Sequence, residues 1–420
     1  MKQVNASIIT IGDELLIGQT IDTNSAFIGQ ELNRIGVWVK RRVAVGDVYD
    51  DIWKALDEES NHSDIIIITG GLGPTADDIT KPLLCDYFGG KMVVNENVLM
   101  HIHYLFEHVY RRPGPILERN LKQAEVPDVC TVLHNEKGSA PGMWFEKNGK
   151  IFVSLPGVPT EMKGLVEKEM IPRLSKKLTL PVIIHQTLLT AGTGESYIAE
   201  KIQDWEVKLP THMKLAYLPH YGTVRLRITA TGNDKNKLEL EIEKEFAVLK
   251  ELVKEWLVAD EDFTIQQTVA KILKERKQTA GTAESCTGGY IAHLLSRDPG
   301  SSSNYKGSII SYDNDVKKEV LHVKKETLET VGAVSEETVT QMVKGALDQL
   351  KCDYVIATSG IMGPDGGTEQ KPVGMVWIAV GNDQKIEAEK FQFRFDRSRN
   401  IEVTALAALN KLRKFILANS

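Results

Sequence analysis

Ile65-Ile66-Ile67-Ile68-Thr69-Gly70-Gly71-Leu72-Gly73-Pro74 decides the fold class. The isoleucine run is too short and too β-branched to be a helix, so residues 65–69 are a buried strand. Short apolar runs of this kind alternate with amphipathic segments on either side. Ser7-Ile8-Ile9-Thr10-Ile11 reads as a first strand, and Asp22-Thr23-Asn24-Ser25 supplies N-cap chemistry for a helix ending at Gly36. Ile151-Phe152-Val153-Ser154-Leu155 is a further strand, stopped by Pro156-Gly157-Val158-Pro159, and a helix over 160–174 closes the domain. The pattern predicts an α/β domain with a largely parallel sheet over residues 1–175.

The texture changes over 176–260. An extended run from Val182 to Leu189 leads through Gly192-Thr193-Gly194-Glu195 into a helix ending near Trp205. A hairpin over 213–232 and a long charged helix over 235–257 follow, making a small α+β module. Residues 261–420 are again α/β. Val355 to Ser359 and Met375 to Val380 are core strands, and a helix over 401–417 ends the chain. The expected architecture is two three-layer αβα domains joined by the small module.

The chain has 420 residues, 42% hydrophobic and 26% charged. At ~100–200 residues per domain, this leaves room for two to four domains. A net charge of -6 and a pI near 6.0 offer no global basic field for nucleic acid. The four cysteines are far apart, with no Cys-x-x-Cys pair, which fits a reducing cytosol better than a disulfide scaffold. No secretory leader and no membrane-length apolar run is present, so a cytoplasmic protein is expected.

In the first domain the dense signal is Thr69 to Thr80. Gly70, Gly71 and Gly73 let a ligand approach the backbone, with Thr75 in the same loop. Asp77 and Asp78 could hold a divalent cation that neutralises a pyrophosphate. Asp13 and Glu14 follow the first strand and belong to the same C-terminal sheet edge, where open α/β folds bind ligands. Against this, Asp77 or Asp78 could simply cap the next helix. His101, His103 and His108 lack the i, i+4 spacing of helical zinc sites and read as a helix face. Arg111-Arg112 beside Pro113 reads as a solvated loop start.

In the last domain, Thr282-Ala283-Glu284-Ser285-Cys286-Thr287-Gly288-Gly289 suits a strand-to-helix turn that presents a small nucleophile. Backbone N–H groups at Thr287, Gly288 and Gly289 would face a developing oxyanion. Ser285 and Cys286 compete for the nucleophile's role, because the thiol is intrinsically stronger but needs a group that lowers its pKa. Nothing in the sequence places His293 or His322 nearby. About thirty residues on, Tyr312 and Lys317 offer a phenol and an amine as bases. Ser359-Gly360-Ile361-Met362-Gly363-Pro364 echoes the first domain's loop, a turn rich in N–H groups that suits a phosphate. Arg397 could bind a phosphate bidentately.

Together these blocks resemble the CinA family over nearly the whole chain. The last domain looks like a nicotinamide mononucleotide deamidase, matching at Ala283–Gly289, Gly300-Ser301-Ser302, Tyr312–Lys317, Gly332–Ser335, Ser359–Gly367 and Lys371–Gly374. The resemblance implies Ser285 as nucleophile, Lys317 as base, assistance from Tyr312 and Ser302, and substrate held by Arg397. No cofactor is implied for that reaction. The first domain is similar to the molybdopterin-binding MoaB/MogA-like fold, which in this family implies metal-dependent hydrolysis of ADP-ribose. The middle module looks like a KH-type domain, although Gly192-Thr193-Gly194-Glu195 lacks the second glycine of a nucleic-acid clamp. Small nucleotides are the expected partners, without nucleic acid or membrane, and a homodimer is expected from the resemblance alone. The rival readings are a molybdopterin-binding module and a non-catalytic partner in DNA uptake or recombination. Met362 departs from the family pattern, where a small residue is usual.

Overall fold

The computed structural model describes residues 3–75, 78–111 and 114–419. The chain is α/β throughout and divides into two compact units, 1–184 with 231–238, and 185–230 with 239–420.

In the first unit the main elements are β1 (Asn5–Ile11), α1 (Thr23–Arg34), β2 (Trp38–Val45), α2 (Tyr49–His62), β3 (Ile65–Thr69), α3 (Thr80–Phe88), β4 (Thr131–Leu133), β5 (Gly142–Lys147), β6 (Lys150–Leu155) and α4 (Pro159–Leu165). The sheet order is β2-β1-β3-β6-β5-β4. The first four of these strands run parallel, and β5 and β4 are antiparallel additions. Every residue of the isoleucine strand is buried, because helices cover both faces of the sheet. Ile65 and Ile67 pack against α1 and α4, while Ile66 and Ile68 face α2 and α3. Asp22 caps α1 as its position demands, its carboxylate accepting the Ser25 N–H at 2.9 Å.

The small module contains β7 (Val182–Ala191), α5 (Glu195–Glu206), β8 (Met213–His220), β9 (Thr223–Gly232), α6 (Lys235–Leu252) and β10 (Leu257–Ala259), with sheet order β8-β9-β7-β10. The long helix therefore stops at Leu252, short of the expected Leu257. Residues 257–259 leave it to pair with β7, since Val258 is buried in a strand that the helical period would have carried past.

The last domain contains α7 (Ile265–Arg276), β11 (Ala280–Glu284), α8 (Tyr290–Ser296), β12 (Tyr305–Ile310), α9 (Asn314–Glu319), α10 (Glu336–Leu350), β13 (Tyr354–Gly360), β14 (Met375–Gly381), β15 (Ile386–Gln392) and α11 (Arg397–Ala418). Its sheet order is β12-β11-β13-β14-β15. The first three strands are parallel, and the last two antiparallel. Helices α7, α8 and α11 cover one face and α10 the other, completing three layers. The final helix begins at Arg397, four residues before the expected Ile401, because Asp396 caps it by accepting the Arg399 N–H at 3.1 Å. No helix among the described residues is long and apolar enough to cross a membrane.

Candidate active site

Strand β11 is built of small residues, all buried, and its last residue, Glu284, is level with Ile310 on β12 and Thr358 on β13. The chain then turns into α8. The Ser285 N–H donates to the Thr358 carbonyl at 3.0 Å, which continues the sheet by one bond and fixes the serine at the sheet edge. Ser285 is 9% exposed, and its side chain lines a cavity of about 210 Å³. The turn closes with Gly289 at φ +96°, a conformation that a side chain would strain.

Lys317 reaches the same cavity from α9. It is only 1% exposed, and its Nζ donates to the carbonyls of Ser311 at 2.7 Å and Tyr312 at 3.1 Å. Burial lowers its pKa from the usual lysine value, with Asp313 and Cys286 opposing weakly. A neutral amine has two N–H donors and one lone pair. The two carbonyls match those two donors, leaving the lone pair for a third direction. The rest of the cavity wall comes from Cys286, Tyr312, Asn314, Ser359, Gly360, Met362 and Arg397, with Ala333 and Val334. Arg397 ties the wall together, its guanidinium donating to the Gly363 carbonyl at 2.8 Å and the Tyr312 hydroxyl at 2.9 Å.

Ser285, Lys317, Tyr312, Gly360 and Arg397 thus surround one space, with Gly363 bonded to its rim. Other expected residues take different places. The Tyr312 phenol accepts from Arg397, and Lys317 meets Tyr312 through its main-chain carbonyl rather than its hydroxyl. Thr287 is 3% exposed, and its hydroxyl is bonded to Glu284 and Thr358, which makes it scaffold. The Gly288 N–H donates to the Ser285 carbonyl, and the Gly289 N–H to the Glu284 carboxylate, so neither is left for an oxyanion. Ser302 is exposed on the short turn Ser301–Ser303 and is not among the residues that line the cavity. Burial also bears on the choice between Ser285 and Cys286. Complete burial pushes the Cys286 thiol up to about 12, so the thiolate is scarce at neutral pH.

In the first unit, Gly70 and Gly71 follow β3 on the C-terminal edge of the parallel strands. A Cβ on Gly70 would lie 2.2 Å from the Ile11 carbonyl oxygen, so only glycine lets the loop cross there. Gly73, Thr75 and Asp78 line a cavity of about 270 Å³ with Lys81, Arg119 and Lys122. The Asp78 carboxylate closes the loop on itself, accepting the N–H groups of Gly73 at 2.7 Å and Thr75 at 2.9 Å, together with the Thr75 hydroxyl. Asp13 and Asp47 pair reciprocally, the carboxylate of each accepting the backbone N–H of the other at 3.3 Å. Asp77 lies outside the described residues, as do Arg112 and Pro113. Among the described residues no three His, Cys, Asp or Glu side chains gather as metal ligands. Of the three expected ligands, Asp13 and Asp78 lie within the described residues, and both carboxylate oxygens of Asp78 accept hydrogen bonds from its own loop. His101 stacks edge-on against His134 at 4.6 Å on its helix face, as its spacing suggested.

Three family models cover the chain: a CinA C-terminal domain over 262–416, a probable molybdopterin binding domain over 7–176, and a damage-inducible protein CinA KH domain over 185–258. A CinA-like protein of Cytophaga hutchinsonii is 44% identical over 98% of both chains, and one of Flavobacterium psychrophilum is 44% identical over 99% of both. The chain belongs to the CinA family. A solved competence/damage inducible protein of Agrobacterium tumefaciens is 34% identical, covering 36% of this chain and 92% of its own, with a TM-score of 0.35.

Within this CinA chain, Ser359 in the cavity wall, and Asn400 and Glu284 behind it, carry no signal in the sequence reading. Ser359 holds the opposite wall by donating to the Ala333 carbonyl at 2.7 Å, and fully buried Asn400 donates to the carbonyl of Met362 at 3.0 Å. Both sit in or beside recognised blocks, but a hydroxyl or amide used for bracing carries no distinguishing pattern. Glu284 was passed over as part of the octapeptide. The structure makes it the most heavily bonded side chain of the turn.

Proposed function

We propose that the C-terminal domain hydrolyses the carboxamide of nicotinamide mononucleotide through an acyl-enzyme on Ser285. The observation carrying this reading is the buried Lys317 amine, its pKa lowered by desolvation and its Nζ oriented by two carbonyls, in the same cavity as a serine hydroxyl. Ser285 Oγ bonds to the amide carbon while its proton passes to Lys317 Nζ. The resulting ammonium returns the proton to the departing nitrogen as the C–N bond breaks, releasing ammonia. Water then attacks the ester with Lys317 again as base, giving nicotinic acid mononucleotide. Because the N–H groups of Gly288 and Gly289 are taken, the turn's remaining donors for the oxyanion are the N–H groups of Cys286 and Thr287, neither of which donates to a backbone carbonyl. One such donor is worth roughly 3–4 kcal/mol. The Arg397 guanidinium, fixed on two sides, retains donors for the substrate phosphate. Ser285→Ala should abolish ammonia release, whereas Cys286→Ala should largely preserve it; the reverse result ends the assignment.

For the N-terminal domain we propose binding and cleavage of ADP-ribose to AMP and ribose 5-phosphate. Support comes from the glycine loop at the sheet edge and from Lys81, Arg119 and Lys122 around one cavity, which favour a pyrophosphate. Both substrates derive from NAD breakdown and carry ribose phosphates. Arg119→Ala combined with Lys122→Ala should weaken ADP-ribose binding at least tenfold by calorimetry, a loss of about 1.4 kcal/mol. Undiminished affinity would remove this cavity from the reading.

A further inference from the structure

The turn that carries Ser285 is organised around a charge that the proposed reaction does not use. Glu284 is fully buried, yet no cation is paired with it among the described residues. Its carboxylate accepts five hydrogen bonds instead. Oε1 takes the Thr282 hydroxyl at 2.9 Å and the Ala292 N–H at 2.8 Å. Oε2 takes the Thr287 hydroxyl at 2.7 Å, the Gly289 N–H at 3.0 Å and the Ile291 N–H at 3.1 Å. Three of these donors are the free N–H groups at the start of α8, the groups that in a strand-to-helix turn would otherwise face an external anion. The protein supplies that anion itself, on the residue next to the nucleophile.

We propose that Glu284 is the positioning residue of the Ser285 turn, an inference that rests on the acyl-enzyme reading above. The carboxylate clamps the turn from beneath, so Ser285 and the Cys286 N–H keep a fixed relation to Lys317. Two chains of contact transmit the clamp. Thr287 joins Glu284 to Thr358 at 2.8 Å, the residue whose carbonyl receives the Ser285 N–H. Thr282 joins Glu284 to Ser308 on β12, and Ser308 meets the Tyr305 hydroxyl at 2.5 Å. The nucleophile's main chain is thus tied to β11, β12, β13 and α8 through one side chain. Glu284 lines no part of the cavity, so it acts on the reaction only through Ser285 and its neighbours.

An amide in place of the carboxylate keeps the size but offers the α8 N–H groups a donor where they require an acceptor. A misplacement of about 1 Å in a reacting group costs on the order of 100-fold in rate. Glu284→Gln is therefore expected to lower kcat for ammonia release roughly 10- to 100-fold, normalised to folded protein by circular dichroism, with KM for nicotinamide mononucleotide within about twofold of wild type. Thr287→Val, which removes one donor and the link to Thr358, should lower kcat by a smaller factor, and Thr287→Ser should restore it. If Glu284→Gln does not fold, the Thr287 pair carries the test with the same split between kcat and KM. Unchanged kcat per folded molecule, with only a lower melting temperature, overturns the inference. Ser285→Ala measured alongside separates the two claims. Full turnover there overturns the nucleophile and this inference with it, whereas an inert Ser285→Ala beside an unimpaired Glu284→Gln overturns the role of Glu284 alone.

Discussion

Burial changes what the Lys317 amine can do. Its pKa lies below the ordinary lysine value of 10.5 because burial disfavours the ammonium. The proposed reaction requires the neutral amine, so kcat/KM should rise with pH through this lowered pKa and level off above it. Stability has the same sign. Between the lowered folded pKa and 10.5, the unfolded chain binds more protons than the native one, so stability increases with pH across that window. Lys317→Met should remove this increment in paired melts across the window, and should also abolish ammonia release. A pH–rate profile that is flat across neutral and alkaline pH, or one whose rising limb survives in Lys317→Met, would reject the amine as base.

Elements were legible where a single period or cap dominates. The isoleucine strand, the Asp22-capped helix and the 213–232 hairpin appear where expected, because burial, cap chemistry and cross-strand alternation act over a few neighbouring residues. The two misjudged boundaries have local causes. Asp396-Arg397-Ser398-Arg399 carries an N-cap signal in its first residue, but no apolar residue appears before Ile401, so a reading keyed to hydrophobic period started the helix late. At the end of α6, Leu257 and Val258 continue an apolar pattern that helix and strand share, and only pairing with β7 separates the two. The cavity was legible in part for the same reason. Ser285, Lys317 and Arg397 stand out by chemistry. The bond from Lys317 to main-chain carbonyls, and the turn's N–H groups spent on Glu284, depend on backbone directions that sequence does not display.

At the scale of the molecule, the three family segments do not behave as three separate bodies. Leu189, Ala191 and Val258 from the sheet of the small module are buried in one cluster with Ile265, Val269, Leu273 and Phe415 of the last domain. Around that cluster, Arg225 pairs with Asp262 at 3.2 Å and the Tyr221 ring meets Phe395 at 5.7 Å. The exposed ion pair contributes little, on the order of 0–1 kcal/mol. The apolar contacts decide the matter, since burying a leucine or valine side chain stabilises by about 1.5–3 kcal/mol each. A fragment of residues 185–420 should therefore melt in one transition by calorimetry. A fragment of 261–420 lacks Leu189 and Val258, and at about 2–4 °C per kcal/mol should melt on the order of 10 °C lower. Its cavity residues are all present, so the shorter fragment should still release ammonia below its melting temperature. Equal melting temperatures would show that the shared cluster adds no stability, and two transitions in the longer fragment would show that module and domain unfold independently.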